Sequence, residues 1–222
     1  MQELKGGMER LYCGVIYDAM TFDLKFEKPF LLRKEVKPAW PFKGVLFGPA
    51  FTCKGERVSD QSHIDDTVRI KMFKKFYPGC VQMISSGGYR EVAQFGDISG
   101  KIARKFGAVG AVIDAPTRDV KWIEEDGFVL FADGVQCVDA YAKWQITEFE
   151  IPIVMPGIQG DVEIAPGDCV FGDADGVIVI PRRLASDVLS LATRRMEREN
   201  IVREEIYKTN EIQDLYDKVG RW

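Results

Sequence analysis

Short apolar runs alternate with amphipathic stretches through the middle of the chain. The runs CVQMIS at 80–85, AVGAVID at 108–114 and FVLFADG at 128–134 predict buried strands. Between them lie stretches at helical spacing. DDTVRIKMFKKFY at 65–77 places Val68, Met72 and Phe76 on one face, with acids where the helix dipole favours them. SGKIARKF at 99–106 predicts a helix ended by Gly107, and RDVKWIEED at 118–126 a further one. Strand and helix in alternation imply a sheet covered by helices.

The flanks read differently. MERLYCGVIYDAM at 8–20 predicts an N-terminal helix broken or ended near Gly14, and GVLFGPAFTC at 44–53 a strand pair or one kinked strand. From residue 151 the pattern turns β-rich: IPIVMPG, CVFG and GVIVIP are short strands, with DADG at 173–176 as a hairpin turn. Residues 182–222 predict a long charged helical extension with Leu184, Val188, Leu191, Arg195 and Glu199 near one face. So thin an apolar stripe suits either a helix that packs on another subunit or a solvated helix on its own.

No repeat, low-complexity tract or linker divides the 222 residues, so one domain is expected, with 46% hydrophobic residues to fill its core. Thirty Lys and Arg against 34 Asp and Glu leave a net charge of −4, which argues against a nucleic-acid partner. Five scattered cysteines, mostly flanked by apolar residues, read as reduced buried thiols and point to the cytoplasm. Neither a leader pattern nor a long uncharged apolar run is present, so secretion and membrane insertion are not expected. The single histidine, His63, lies in a polar stretch and reads as surface.

The chemistry gathers around Arg118 and Asp119, which follow the apolar run 109–114. The carboxyl end of an interior strand faces the ligand crevice in open α/β sheets. An arginine there can hold a carboxylate through two hydrogen bonds, and an adjacent aspartate offers a hard oxygen to Mg²⁺ or Mn²⁺. Together they suit an α-keto acid. Asp97 stands before a helix, either as its cap or as an acid beside an anion-binding helix start.

Twenty positions, residues 98 to 117, separate Asp97 from Arg118-Asp119. That spacing resembles the signature of the class II pyruvate aldolases typified by 4-hydroxy-4-methyl-2-oxoglutarate aldolase, within the RraA-like family. GVIYDAM, GPAFTCKG and IAPGDCVFGDADGVIVIP at 164–181 are similar to further family blocks, so the resemblance covers roughly residues 10 to 200. It implies an α/β fold of the swivelling β/β/α three-layer type, trimers or hexamers, and sites at subunit interfaces. By position, Arg118 would bind the pyruvate carboxylate, Asp119 would ligate Mg²⁺ or Mn²⁺, and Asp97 would hold metal-bound water. The amides of Gly96, Asp97, Ile98 and Ser99 would cradle the substrate. A glutamate from a neighbour's C-terminal helix would complete the site, with Glu199 the best match and Glu197 the alternative. One departure is the approach DAPTRD, where Ala115, Pro116 and Thr117 replace a glycine-containing approach.

The resemblance implies a metal-dependent lyase that cleaves 4-hydroxy-2-oxo acids to pyruvate, with oxaloacetate decarboxylation as a side activity. A Schiff-base aldolase would need a desolvated lysine, for which Lys101 and Lys121 are the nearby candidates. The rival of another class is a non-catalytic regulator that binds an RNA-degrading endonuclease, as the family's namesake does. A methyltransferase reading finds no support, since no glycine-rich nucleotide loop follows a first strand.

Overall fold

The structure, a computed structural model, describes residues 2–59 and 66–220; His63 lies outside the described residues. The chain forms two compact units, one of residues 28–185 and one of the segments up to 27 and from 186 onward. In the larger unit a sheet runs in the order β1-β5-β4-β3-β2-β9-β10. Its strands are β1 (Val36–Pro38), β2 (Leu46–Arg57), β3 (Val81–Ser85), β4 (Gly110–Ile113), β5 (Val129–Asp133), β9 (Cys169–Asp173) and β10 (Gly176–Ile180). β6 (Trp144–Phe149) adds to β2, while β7 (Ile153–Met155) and β8 (Val162–Ile164) pair with each other.

β2, β3, β4 and β5 are parallel neighbours, joined through α3 (Thr67–Phe73), α4 (Asp97–Lys105) and α5 (Val120–Glu125). Of the two readings of 44–53, the single kinked strand holds: β2 runs for twelve residues, its first half pairing with β9 and its second with β6, across a register shift at Lys54/Gly55. Leu31 bridges Ile178 and the amide of Leu32 donates to Val177, so the sheet curls nearly closed between its edges.

Side-chain alternation sorts the sheet into two cores, as a period of two requires. Phe51, Ile84, Ala111, Ile113 and Leu130 face the helices and meet Met72, Phe76, Ala103 and Ile123. Val81, Met83, Val112, Phe131 and Val170 face the other way, toward Ile153, Met155, Val162 and Ile164 of β7 and β8. The resulting stack of helices, main sheet and small second sheet is the three-layer α/β arrangement.

The smaller unit holds α1 (Gln2–Met8), α2 (Cys13–Asp18), a π-helical turn at Ala19–Asp23, most of α6 (Ala185–Ile206), and α7 (Ile212–Val219). Two expectations change here. The N-terminal helix does not end at Gly14, which lies within α2; the break comes earlier, at residues 9–12. The tail is two helices, interrupted at 207–211 where Thr209 folds its hydroxyl back on the Glu205 carbonyl. Four cysteines are buried as expected, but Cys137 is exposed.

Candidate active site

β4 delivers the chain to the carboxyl edge of the sheet, and residues 114–119 then turn across the start of α4. Backbone pairing fixes this turn: the Arg118 amide donates to Phe95 at 3.0 Å, the Thr117 amide to Gly134 at 3.0 Å, and the Thr117 hydroxyl to Phe95 at 2.9 Å. Pro116 contributes its carbonyl, which accepts the Gln94 amide at 3.0 Å. The departure at Ala115, Pro116 and Thr117 therefore forms a corner held by backbone hydrogen bonds, and it leaves Arg118 on a cavity wall.

The structure brings the two ends of the sequence signature together. A Cβ on Gly96 would lie 2.6 Å from Asp119 Oδ2 and 3.6 Å from Arg118 Nε, so a side chain there would push the Asp119 carboxylate away from the start of α4. Gly96 is the N-cap in extended geometry, and no side chain caps the helix. The first pair in the turn is the Gly100 amide on the Gly96 carbonyl, so the preceding amides of Asp97, Ile98 and Ser99 are free of intrahelical partners. Asp97 is thus the first helical residue and not the cap; its carboxylate pairs with Lys101 at 3.0 Å.

Asp119 itself occupies the N-cap position of α5 in the left-handed region, with φ of 60° and no side-chain cap bond. Left-handed backbone at a non-glycine residue is uncommon, and aspartate is among the residues that tolerate it. The conformation turns its carboxylate toward Arg118, Nε to Oδ2 at 3.3 Å. The other side of the guanidinium meets Asp139, Nη1 to Oδ2 at 3.2 Å. The amide of Tyr141, and then Arg118, hold the Asp139 carboxyl below its usual range.

Beside this cluster lies a cavity of about 310 Å³ whose wall includes Phe95, Ser99, Arg118, Asp139, Gln82, Gln94, Trp144 and Ile146. Ser99 reaches it from the first turn of α4, whereas Ile98 points outward and is 64% exposed. Asp139, Gln82 and Gln94 were not anticipated. Gln82 carried a signal, being the one polar side chain in the run CVQMI; Asp139 carried none, since it sits in an irregular loop far along the chain.

Metal ligation is testable on the donor set. Among the described residues no group of three His, Cys, Asp or Glu side chains converges on one point, so an all-protein cage is absent there. Mg²⁺ does not need one: it takes one or two carboxylates and completes its shell with water and substrate oxygens. Asp119, cradled at Gly96 near the free α4 amides, with Asp97 on the same turn, fits that requirement.

Lys101 and Lys121 are both largely exposed. Lys101 pairs with Asp126 at 2.9 Å and with Asp97, and these acids raise its pKa, opposite to what a Schiff-base lysine needs. Glu199 and Glu197 belong to the smaller unit. Glu199 accepts from the Tyr12 hydroxyl and from Arg203 at 2.6 Å, and Glu197 is exposed.

A mixed sheet curled toward closure, layered with helices and bearing an Arg-Asp corner at a helix start, defines a class, and the comparisons agree. A family model described as RraA-like, Aldolase/RraA, matches residues 15–179, and the chain belongs to that family. A protein of Halalkalibacterium halodurans with the provisional name 4-hydroxy-4-methyl-2-oxoglutarate aldolase is 33% identical over 131 residues, or 59% of this chain and 60% of that one. A solved structure from Pseudomonas syringae pv. tomato superposes with a TM-score of 0.82 at 23% identity, covering 98% of this chain and 94% of that one. Streptomyces coelicolor RraAS2, described as an unusual member of the RNase ES inhibitor RraA family, gives 0.74 at 21%, covering 90% and 96%. These two structures establish the fold. No helix among the described residues is long and apolar enough to cross a membrane.

Proposed function

We propose that the chain is a divalent-metal-dependent lyase that cleaves 4-hydroxy-2-oxo acids to pyruvate and an aldehyde or ketone, and decarboxylates oxaloacetate through the same pyruvate enolate. The observation that carries this reading is the contact of Asp119 and Arg118 with Gly96 at the start of α4, beside the cavity. Family members named as 4-hydroxy-4-methyl-2-oxoglutarate aldolases support it.

In this reading Arg118 exchanges its contact with Asp139 for the substrate carboxylate, which it holds through two parallel hydrogen bonds. The amides of Asp97, Ile98 and Ser99, at the positive end of α4, face the negative charge that develops as the carbon–carbon bond breaks. Mg²⁺ or Mn²⁺ held by Asp119 supplies Lewis-acid polarisation of the 2-oxo group. Asp97 orients a water that takes the C4 hydroxyl proton. Glu199 from a second copy of the chain completes the site in a trimer or hexamer, in keeping with the family resemblance.

Pyruvate release from oxaloacetate and from 4-hydroxy-4-methyl-2-oxoglutarate tests the reading. Turnover should require Mg²⁺ or Mn²⁺, stop with EDTA and be lost in Asp119→Ala. A folded, metal-loaded protein inert on both substrates would sink it.

A further inference from the structure

We infer that Arg33, which lies off the cavity wall, is a positioning residue: its guanidinium ties the ends of β4 and β5 together and so sets where Arg118 and Asp119 stand. The inference rests on the lyase reading and names the group that aligns its carboxylate clamp and its metal ligand at once.

The carboxyl ends of three parallel neighbours, β3, β4 and β5, bring Ser86, Asp114 and Asp133 to one edge of the sheet. Asp114, 2% exposed, is the last residue before the corner, and its carboxylate accepts the Ser86 amide at 2.6 Å. Arg33 Nη2 donates to the Asp114 carbonyl at 3.2 Å and to the Asp133 carboxylate. Arg90 places its Nε 3.7 Å from the same carboxylate. The Arg33 and Asp133 side chains are only 13% and 18% exposed, and none of these groups lines the cavity. Backbone bonds fix Arg33 in turn: its amide donates to Pro156 at 3.1 Å, its carbonyl accepts from Val36 at 3.1 Å, and the preceding Leu32 amide donates to Val177 at 2.9 Å. The guanidinium thus projects from the segment that curls the sheet toward closure.

The tie reaches the site through the backbone. The Asp133 amide donates to the Ala115 carbonyl at 3.0 Å, the Thr117 amide to Gly134 at 3.0 Å, and the Gln136 amide to the Thr117 carbonyl at 2.9 Å. The corner is therefore laced to the end of β5 at Ala115 and Thr117, and Arg118 and Asp119 follow directly. Without the guanidinium the Asp133 carboxylate loses its main partner in a largely buried place, and the end of β5 is released with the corner attached. Binding groups displaced by about 1 Å lose much of their effect, even when the change lies far from the chemistry.

The test reads amide hydrogen exchange by NMR, Mn²⁺ binding by electron paramagnetic resonance and oxaloacetate kinetics at saturating Mg²⁺, in the wild-type protein and in Arg33→Met. In the variant the Thr117 and Arg118 amides should exchange about tenfold faster or more, while the Val109 amide, bonded to Cys80 at 2.8 Å at the far end of β4, keeps its rate. Mn²⁺ affinity and the KM for oxaloacetate should each worsen by about tenfold, with a smaller change in kcat, although Arg33 touches neither ligand. A residue that only stabilised the fold would speed all three amides alike and leave both affinities unchanged in the folded protein, which would overturn the inference. If Arg33→Met does not fold, Arg33→Met/Asp133→Asn, which also removes the stranded carboxylate, is read in the same way. Thr117 and Arg118 amides that exchange without protection in the wild-type protein would overturn the inference whether or not either variant folds. A loosened corner in a protein inert on oxaloacetate would remove the lyase chemistry and keep the positioning; turnover with an unmoved corner would do the reverse.

Discussion

Two clefts in this molecule are similar in size and opposite in chemistry. In the smaller unit, a cleft of about 350 Å³ is lined by Asp18, Asp23, Arg194, Arg195, Arg198 and Glu199. Its principal charges are spent on one another: Arg195 Nε and Nη2 hold Asp23 at 2.6 and 2.9 Å, and Nη1 meets Asp18 at 3.6 Å. In the larger unit the cavity wall mixes polar and apolar groups in about equal parts; two amide oxygens of its residues have no partner among the described residues, and Arg118 is shared between two acids. Dense charge satisfied internally is architecture. Polar atoms left unsatisfied in a buried wall mark where a ligand is expected.

The hardest test of that contrast is to delete one group from each cleft. Asp119→Ala should reduce metal-dependent pyruvate release on the order of a thousandfold, because the lost ligand removes charge stabilisation needed in the transition state. Arg195→Ala should leave release within about twofold and cost roughly 0.5–1 kcal/mol of stability, as a partly exposed ion pair does. Comparable losses of turnover in the two variants would erase the distinction. Glu199 stands outside that contrast, because the proposed function lends it to the site of a neighbouring copy: Asp119→Ala and Glu199→Gln, each inactive alone, should together recover roughly a quarter of wild-type turnover if each site draws on two copies.

Arg118→Ala comes next in size. It should raise KM for oxaloacetate about ten- to a hundredfold, the cost of losing a charge-assisted carboxylate clamp, with a smaller change in kcat. A large fall in kcat at constant KM would place Arg118 in the chemistry instead. Asp139→Ala should act in the opposite direction, tightening pyruvate binding by about threefold, since the exposed carboxylate competes for the same guanidinium and exposed pairs are weak. Weaker binding in that variant would mean that Asp139 orients Arg118 rather than competing for it.

What could be read before any coordinates follows the same division. Periodicity located the strands and helices at 81–133 because their apolar faces are continuous and their ends carry turn residues. It missed β1, β6 and β8, which are short or lack a full alternating pattern. Arg118 and Asp119 were visible as charge at the end of a buried run, but their contact with Gly96 depends on a parallel bridge between Phe95 and Thr117 that no local pattern announces. Asp139 reaches Arg118 only through loop geometry. Gln82 was in plain view as a polar residue inside an apolar strand, a conflict between local pattern and burial of the kind that concentrates at functional positions.

The smallest expected effect separates the units by sign. In the larger unit Asp114 is 2% exposed, and burial raises its carboxyl pKa despite the Ser86 amide and the nearby Arg90 and Arg33. Its ionised form is therefore disfavoured by folding: the cost is present above the raised value and relieved as pH falls through it toward the ordinary 3.8. In the smaller unit the Arg195 hydrogen bonds lower the Asp23 carboxyl, so its contribution is present above 3.8 and lost as pH falls through the lowered value. Asp114→Asn should accordingly be at its most favourable relative to wild type near neutrality, and lose ground in acid. Asp23→Asn should be about 0.5 kcal/mol less stable near neutrality and converge on wild type in acid. Urea titrations of the two variants near neutrality and in acid would show both differences shrinking from opposite sides. Slopes of the same sign would mean that Arg33 and Arg90 outweigh burial at Asp114, and that the larger unit satisfies its charges as fully as the smaller one does.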